Sequence, residues 1–193
     1  YRLVPVEDDP INADWMMDKL MNKFTFGNAN IDGVYFDEEN RRHLQGIRQS
    51  YAELASYLAD KGRKDDAKKV LEKADKEILQ SNYPYGMVSR GDFHNRVSLL
   101  FLDACYRAGD SALVKKVSAA VKKDLEQQIK YYESLPSGKQ ADMAIDRSYT
   151  ENCIKGLTQM EAAYASKTDA TKATVPTVDT PKPKKDSAVK PKK

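Results

Sequence analysis

The sequence predicts an all-α protein of about five to six helices, followed by a disordered C-terminal tail. Over most of the chain, apolar residues recur every three or four positions, as they do on one face of a helix. No segment combines the alternation and the turn residues of a β-hairpin. After residue 165, Thr, Lys and Pro dominate, so this segment lacks the large apolar groups whose burial would offset the entropy of ordering it.

Residues 1–36 are predicted to form an extended entry and a short first helix that docks on the core. Pro5 and Pro10 interrupt the first ten residues, which are therefore expected to be extended. Asn12 is a suitable N-cap for the helix, and apolar residues follow it at helical spacing. Gly27 ends this helix, and a short apolar stretch at residues 34–36 is expected to pack on the core.

Residues 37–165 carry the strongest helical pattern and form the predicted helical domain. Asp37 is a candidate N-cap for its first helix, Gly62 ends that helix, and Asp65 or Asp66 begins the second. The third helix has apolar residues on more than one face, so we expect it to be the most central. The last three helices are expected at residues 93–108, 111–135 and about 141–164.

The first two of these helices match a tetratricopeptide repeat, a helix-turn-helix unit of about 34 residues. In such a unit, small residues let the two helices approach closely, and bulky residues fill the gap to the next unit. A second hairpin repeats the theme around Gly109, 47 residues after Gly62, so the predicted array is tetratricopeptide-like with degenerate, widely spaced hairpins. The matching positions are Tyr51, Leu54, Ala55, Gly62, Ala67, Leu71 and Ala74.

The charge distribution argues against a nucleic-acid-binding protein. The net charge is +3, but the segment 166–193 alone has eight Lys and three Asp, a net of +5, which leaves −2 for residues 1–165. The basic excess therefore lies in a tail that has no aromatic residue to stack on bases. No run of residues approaches the 18 apolar positions of a membrane span.

A candidate binding site lies in the segment 83–96, where aromatic, acidic, basic and imidazole groups precede a core helix. One hypothesis is a binding or catalytic cluster in which the tyrosines stack on a sugar or a peptide. The other is structural: Asp92 caps the helix, an arginine pairs with it, and the aromatic loop seals the helix stack, which we favour. The candidate residues are Tyr83, Tyr85, Arg90, Asp92, His94 and Arg96.

No other set of residues indicates a catalytic, metal or cofactor site. The sequence has no glycine-rich phosphate loop and no CxxC pair, and no pair of carboxylates is placed for acid–base catalysis. Cys105 and Cys153 lie on apolar helical faces, where they are either buried free thiols or, in an oxidising compartment, a disulfide. We therefore predict no cofactor, no metal and no catalytic residue.

Several segments resemble the C-terminal region of a family of Bacteroidetes membrane proteins of unknown function. The multi-spanning N-terminal part of those proteins is similar to protein O-mannosyltransferases, and their C-terminal part is soluble and tetratricopeptide-like. The resemblance covers residues 1 to about 165. The segments that carry it are Tyr1-Arg2-Leu3-Val4-Pro5, Met21-Asn22-Lys23-Phe24, Gly27-Asn28, residues 34–42, Pro84-Tyr85-Gly86, His94-Asn95-Arg96 and residues 104–110.

The resemblance implies a non-catalytic helical-repeat module that presents an acceptor polypeptide or an accessory protein to a membrane glycosyltransferase. The chain begins with Tyr rather than Met, and we expect it to be a piece of a longer inner-membrane protein, on the periplasmic side. Glycosyl transfer would then belong to the membrane part. Two alternatives stay open: a glycan-binding or catalytic site in the segment 83–96, and a purely structural cap of the membrane domain.

The tail contains a candidate modification site at Ser187. The triplet Asp186-Ser187-Ala188 is similar to the acceptor triplet of general protein O-glycosylation in the Bacteroidetes. The segment around it is predicted to be disordered, which suits a hydroxyl that must reach a transferase in extended form. The alternative is an unmodified, solvated tail that its positive charge holds near anionic lipid headgroups.

Overall fold

The computed structural model describes residues 11–173, with side chains up to residue 166. The described residues form α-helices joined by loops and contain no β-strand, which confirms the predicted all-α class. A 3₁₀ turn, Arg90–Asp92, precedes the fourth helix. The helices are α1 Ala13–Asn22, α2 Glu38–Asp60, α3 Lys64–Glu77, α4 Phe93–Ala108, α5 Ser111–Ser134, α6 Ser137–Asp142 and α7 Ala144–Ala173.

The N-caps of α1 and α2 are those that the sequence predicts. The Asn12 side chain accepts a hydrogen bond from the backbone N–H of Trp15 at 3.1 Å. The Asp37 carboxylate accepts one from the backbone N–H of Asn40 at 2.8 Å. Each contact satisfies a backbone donor that the first helical turn leaves unpaired. The starts of α1 and α2 are therefore determined by residues next to them in the sequence.

Helices α2 and α3 form a tight antiparallel hairpin around Gly62. Gly62 adopts φ +80°, a conformation that glycine reaches without steric cost. Helix α3 begins at Lys64, so the prediction that Asp65 or Asp66 starts it is wrong by one or two residues. The Asp66 carboxylate instead lies in the first turn, 3.0 Å from Nε of Arg63, and the N-cap residue makes no side-chain capping bond.

Helix α4 is the central element of the fold, as its broad apolar surface predicts. It packs against α2, α3, α5 and α7, and α2 is its most extensive neighbour. Gly109 ends it in a left-handed conformation, and the Asp110 side chain then caps α5 by accepting a hydrogen bond from the backbone N–H of Leu113 at 3.0 Å. The two hairpins, α2–α3 and α4–α5, therefore stack side by side through α2 and α4.

Helix α7 covers α4 and α5 and closes the stack. The predicted apolar row of this helix is partly wrong, because Ile145 and Tyr149 are 68% and 41% exposed. Burial begins at Thr150 and continues through Cys153 and Leu157. Helix α7 runs to residue 173 and so includes the beginning of the segment 166–193 that was predicted to be disordered.

The remainder of that segment, residues 174–193, lies outside the described residues. Ser187 lies there as well, so its glycosylation stays a prediction. Among the described helices, none is long and apolar enough to cross a membrane.

The close approach of α2 and α3 gives a test of the repeat assignment at Ala67. Ala67 is fully buried between these helices, and we expect Ala67→Leu to lower the free energy of unfolding by about 2 kcal/mol, because the added carbons have no space. Urea unfolding measures this change. The matched control is Ala119→Leu on the exposed side of α5, since Ala59, which lies outside the predicted apolar row, is in fact buried. Equal stabilities of the two variants would contradict the assignment.

Candidate functional site

The segment between α3 and α4 folds inward, and its two tyrosines are buried against α2. Tyr83 and Tyr85 are each 1% exposed. Between them lies the guanidinium of Arg48, from the middle of α2, with its central carbon 4.5 Å and 4.4 Å from the centroids of the two rings. Its Nη1 donates to the Pro84 carbonyl at 3.0 Å, and its Nη2 donates to the Tyr83 carbonyl at 2.8 Å. The tyrosine rings thus pack on a buried cation of the same chain.

His94, in the first turn of α4, joins this cluster. Its Nε2 lies 2.8 Å from the Pro84 carbonyl, an acceptor, so the neutral ring must carry its proton on Nε2. Its imidazole meets the Tyr83 ring edge-on, with 4.7 Å between centroids. Burial, together with the positive charges of Arg48 and Arg41, lowers the pKa of His94 to about 4. At neutral pH, His94 is therefore an uncharged donor that holds the loop.

Further hydrogen bonds fix the backbone of the loop around Tyr85. The Tyr85 N–H donates to the Gln80 side chain at 2.8 Å, and its carbonyl accepts from the Ser98 hydroxyl at 2.7 Å. The Tyr85 hydroxyl donates to a carboxylate oxygen of Asp75 on α3 at 3.0 Å. Because these partners come from both sides of the loop, Tyr85 connects α3 to α4.

Asp92 does not have the capping role that the structural hypothesis gave it. Its side chain makes no capping bond to α4, and it is not paired with Arg90 or Arg96, both of which are exposed. Asp92 adopts φ +53°, which is uncommon for a residue with a side chain. The first turn of α4 is served instead by Ser89, whose hydroxyl accepts from the backbone N–H of His94 at 2.8 Å.

The Asp92 carboxylate belongs to a buried polar network that joins three helices. Its Oδ1 accepts from the side-chain amides of Asn95 on α4, at 3.0 Å, and Gln128 on α5, at 3.1 Å. The same two amides donate to Oδ2 of Asp124, each at 2.8 Å. The Thr150 hydroxyl of α7 donates to the Gln128 side-chain oxygen at 3.1 Å. This network orients α4, α5 and α7 relative to one another.

The structure thus divides the six candidate residues into three groups. Tyr83, Tyr85 and His94 converge on Arg48, Asp92 lies in the network with Asn95 and Gln128, and the two arginines face solvent. Sequence reasoning missed Arg48, although a signal was present: it is a charged residue on the apolar face of α2, one turn before Tyr51 and one turn after Leu44.

The burial of His94 predicts a specific dependence of stability on pH. In the unfolded chain the His94 imidazole takes up a proton near pH 6.5, whereas in the folded chain it does so only near pH 4. As the pH falls through this window, His94 lowers the free energy of unfolding by about 1.4 kcal/mol per pH unit. We expect His94→Gln, which keeps a donor for the Pro84 carbonyl, to lack this contribution. Urea unfolding between these pH values measures it; equal slopes for the two proteins would contradict the burial of a neutral imidazole.

Two surface concavities lie at opposite ends of the α2–α4 pair. The smaller, a cleft of about 520 Å³, lies where α2 and α4 begin. The larger, a groove of about 870 Å³, lies where these helices end, with α7 on its far side. With a rise of 1.5 Å per residue, Arg41 in the cleft and Asp60 in the groove are roughly 28 Å apart along α2.

The groove combines aromatic surface with fixed charge. Tyr106 of α4 and Tyr164 of α7 stack with their ring planes nearly parallel, 4.4 Å between centroids. Beside them, the Arg107 guanidinium lies 2.8 Å from a carboxylate oxygen of Asp60 and 2.6 Å from one of Asp103. A polypeptide offers both the apolar side chains and the carbonyl groups that such a surface can contact.

The chemistry for metal binding or thiol catalysis is not assembled in the described part of the chain. No group of three or more His, Cys, Asp or Glu residues is placed there to hold a metal ion. Cys105 and Cys153 are buried free thiols rather than a disulfide. Burial raises the pKa of both thiols, that of Cys153 to about 11, so neither is a thiolate at neutral pH.

The chain was compared with family models, curated proteins and solved structures. No family model, no curated protein and no solved structure matches the chain.

Proposed function

We propose that this chain is a non-catalytic helical interaction module that binds a polypeptide partner. The observation that carries the proposal is the groove between α2, α4 and α7, where stacked Tyr106 and Tyr164 adjoin the fixed guanidinium of Arg107. Flat aromatic surface and arginine are the features that contribute most to protein–protein interfaces. Lys64 and Glu161 also line the groove and supply charges for pairing with a partner.

The internal contacts of the segment 83–96 favour this function over glycan binding or catalysis there. A sugar stacks on an exposed aromatic face, whereas Tyr83 and Tyr85 are buried against Arg48. His94 is buried and hydrogen-bonded to a backbone carbonyl, so its ring is not placed to exchange protons with a substrate. Only Arg90 and Arg96 of the six candidates are free to meet a ligand.

We further propose that this module belongs to a membrane glycosyltransferase-like protein and lies on the periplasmic side. This part rests on the resemblance to the Bacteroidetes family, in which the membrane part would carry the transferase activity. The module would present an acceptor polypeptide or an accessory protein to it, without a cofactor and without nucleic acid. A purely structural cap of the membrane part is the competing role. A reporter fused after Lys193 tests the side of the membrane, and activity confined to the cytoplasm would contradict the placement.

Site-specific photo-crosslinking tests polypeptide binding. A benzoylphenylalanine at Lys64, in the groove, is expected to give adducts in cells that resist glycosidases and that yield, after tryptic digestion and mass spectrometry, crosslinked peptides from a second polypeptide. The matched control carries the same group at Lys123, an exposed lysine of α5 that is not part of the groove lining. Equal adduct yields at both positions, or none at Lys64, would contradict the proposal and favour the structural cap.

A further inference from the structure

The cleft at the opposite end of the α2–α4 pair has a different character from the groove. It has a volume of about 520 Å³ and lies between the first turns of α2 and the segment that leads into α4. Both helices begin here, so their positive dipole ends face the same region. Arg41 and Arg42 line it from α2, and Arg90 and Phe93 line it from the other side.

The charged residues that line the cleft are predominantly positive. Glu38 is the only carboxylate among the described lining residues, and Arg42 pairs with it at 2.8 Å and with Glu39, beside the cleft, at 3.4 Å. Arg41 and Arg90 make no ion pair with a described residue. Arg48 packs against Tyr83, which lines the cleft, and its hydrogen bonds go to carbonyl groups rather than to a carboxylate. A buried cation behind a concave basic surface strengthens the field that an anion meets there.

Arg41 has hydrogen-bonding capacity that the described residues do not use. Its Nε is buried and has no hydrogen-bond partner among them. The guanidinium carbon lies 6.0 Å from the centroid of the Tyr35 ring, which is 81% exposed. Because this Nε is buried, a carboxylate in the cleft would bind Arg41 through the two terminal Nη groups of its planar guanidinium.

Apolar side chains are exposed beside these arginines. Val88 and Phe93, which line the cleft, are 64% and 49% exposed. Exposed apolar groups within a basic concavity suit a ligand that carries both negative charge and a large apolar side chain. A bare inorganic anion would use the arginines and leave Val88 and Phe93 uncovered.

We propose that this cleft binds an acidic segment of a polypeptide. Carboxylates of the segment pair with Arg41 and Arg90, and a neighbouring apolar side chain packs on Val88 and Phe93. The inference rests on the proposed polypeptide-binding function and adds the class of partner and a second place of contact. It also gives Arg90, one of the two exposed arginines of the segment 83–96, a role in ligand binding that the buried tyrosines do not have.

Fluorescence anisotropy of a labelled probe peptide, Asp-Glu-Phe-Glu-Asp, tests the proposal with the whole chain. The peptide is expected to bind, and Arg90→Glu is expected to weaken binding at least about tenfold. The matched control is Arg96→Glu, an exposed arginine of α4 that does not line the cleft and makes the same change in net charge. The control should alter the affinity by less than about twofold, because exposed charges farther away are screened by salt.

Five outcomes would overturn the inference. Four of them are an equal loss of affinity in the two variants, equal binding of a Lys-Lys-Phe-Lys-Lys peptide, displacement of the probe by an equal concentration of inorganic phosphate, and no binding of the probe. The fifth is binding that survives Arg90→Glu and is lost in Arg107→Glu, which would place the peptide in the groove. In that case the proposed function stands and only the acidic cleft is rejected. If the probe does not bind but Lys64 in the groove still gives crosslinks to a polypeptide, the proposed function stands and the acidic cleft is rejected.

Discussion

Replacing Arg48 by methionine is expected to lower the free energy of unfolding by about 4 kcal/mol. The Tyr83 carbonyl loses its guanidinium donor, and a buried group left unpaired costs about 1–3 kcal/mol, whereas the Pro84 carbonyl loses one donor and keeps His94 as the other. The contacts of the cation with the Tyr83 and Tyr85 rings are lost as well. Methionine is apolar and of similar length, so the change mainly removes polar contacts. Urea denaturation followed by circular dichroism measures the effect.

Arg42→Met is the matched control for this variant. Arg42 lies six residues earlier in α2, and its side chain is 65% exposed, with Glu38 and Glu39 as ion-pair partners. Exposed ion pairs contribute about 0–1 kcal/mol, so the control should retain nearly the full stability. If Arg48→Met were no more destabilised than Arg42→Met, the segment between α3 and α4 would not be held by the buried guanidinium.

The second large effect is expected at Gly86, where the loop comes closest to α5. A Cβ at this position would collide with the Ala120 carbonyl oxygen and would lie 2.6 Å from Cβ of Asp124. These atoms belong to a helix and cannot move away as a flexible side-chain end could. Gly86→Ala is therefore expected to lower the free energy of unfolding by about 3 kcal/mol, measured by thermal unfolding.

Gly46→Ala is the matched control for Gly86→Ala and is expected to change the melting temperature in the opposite direction. Gly46 lies inside α2, and a Cβ there would have no atom within 4 Å. Alanine in a helix interior is more favourable than glycine by about 1 kcal/mol, so this variant should melt at a higher temperature than the wild type. A Gly86→Ala protein that also melted at or above the wild-type temperature would show that the loop does not pack on α5.

The helices were predictable from sequence because their signals are local. The Asn12 and Asp37 caps lie next to the helices they start, and Gly109 ends α4 through its own backbone conformation. Where the signal comes from packing, the prediction failed. Ile145 lies at helical spacing from later apolar residues, yet it is exposed, and the first buried residue of α7 is Thr150.

The sequence predicted only part of the membership of the candidate site, and none of its arrangement. The sequence indicates that Tyr83, Tyr85 and His94 are chemically unusual neighbours. It does not show that Arg48, about 35 residues earlier in the chain, lies between the two tyrosines. In the same way, the sequence does not show that Asp92 adopts φ +53° or that its carboxylate accepts hydrogen bonds from side-chain amides of α4 and α5. Contacts between distant segments decide whether these groups pack inside the fold or face a ligand.

These contacts also limit what the segment 83–96 can do. Tyr83, Tyr85 and His94 stabilise the junction of the two hairpins, whereas Arg90 and Arg96 remain at the surface. The exposed groups on which the two proposals rest lie in the groove and in the basic cleft. We propose that both surfaces bind a polypeptide rather than a small reacting substrate.

Parallel NMR titrations of the isotope-labelled chain test the central claim most directly: that this chain binds polypeptide while the tyrosines and His94 of the segment 83–96 are structural. Short glycans and short acidic or mixed peptides are added separately, and the amide and side-chain signals are followed. The account predicts that peptides shift signals of the groove around Arg107 or of the cleft around Phe93, and that glycans shift neither the tyrosine nor the His94 signals. Saturable glycan-induced shifts at Tyr83, Tyr85 and His94, with no response to peptides, would contradict it.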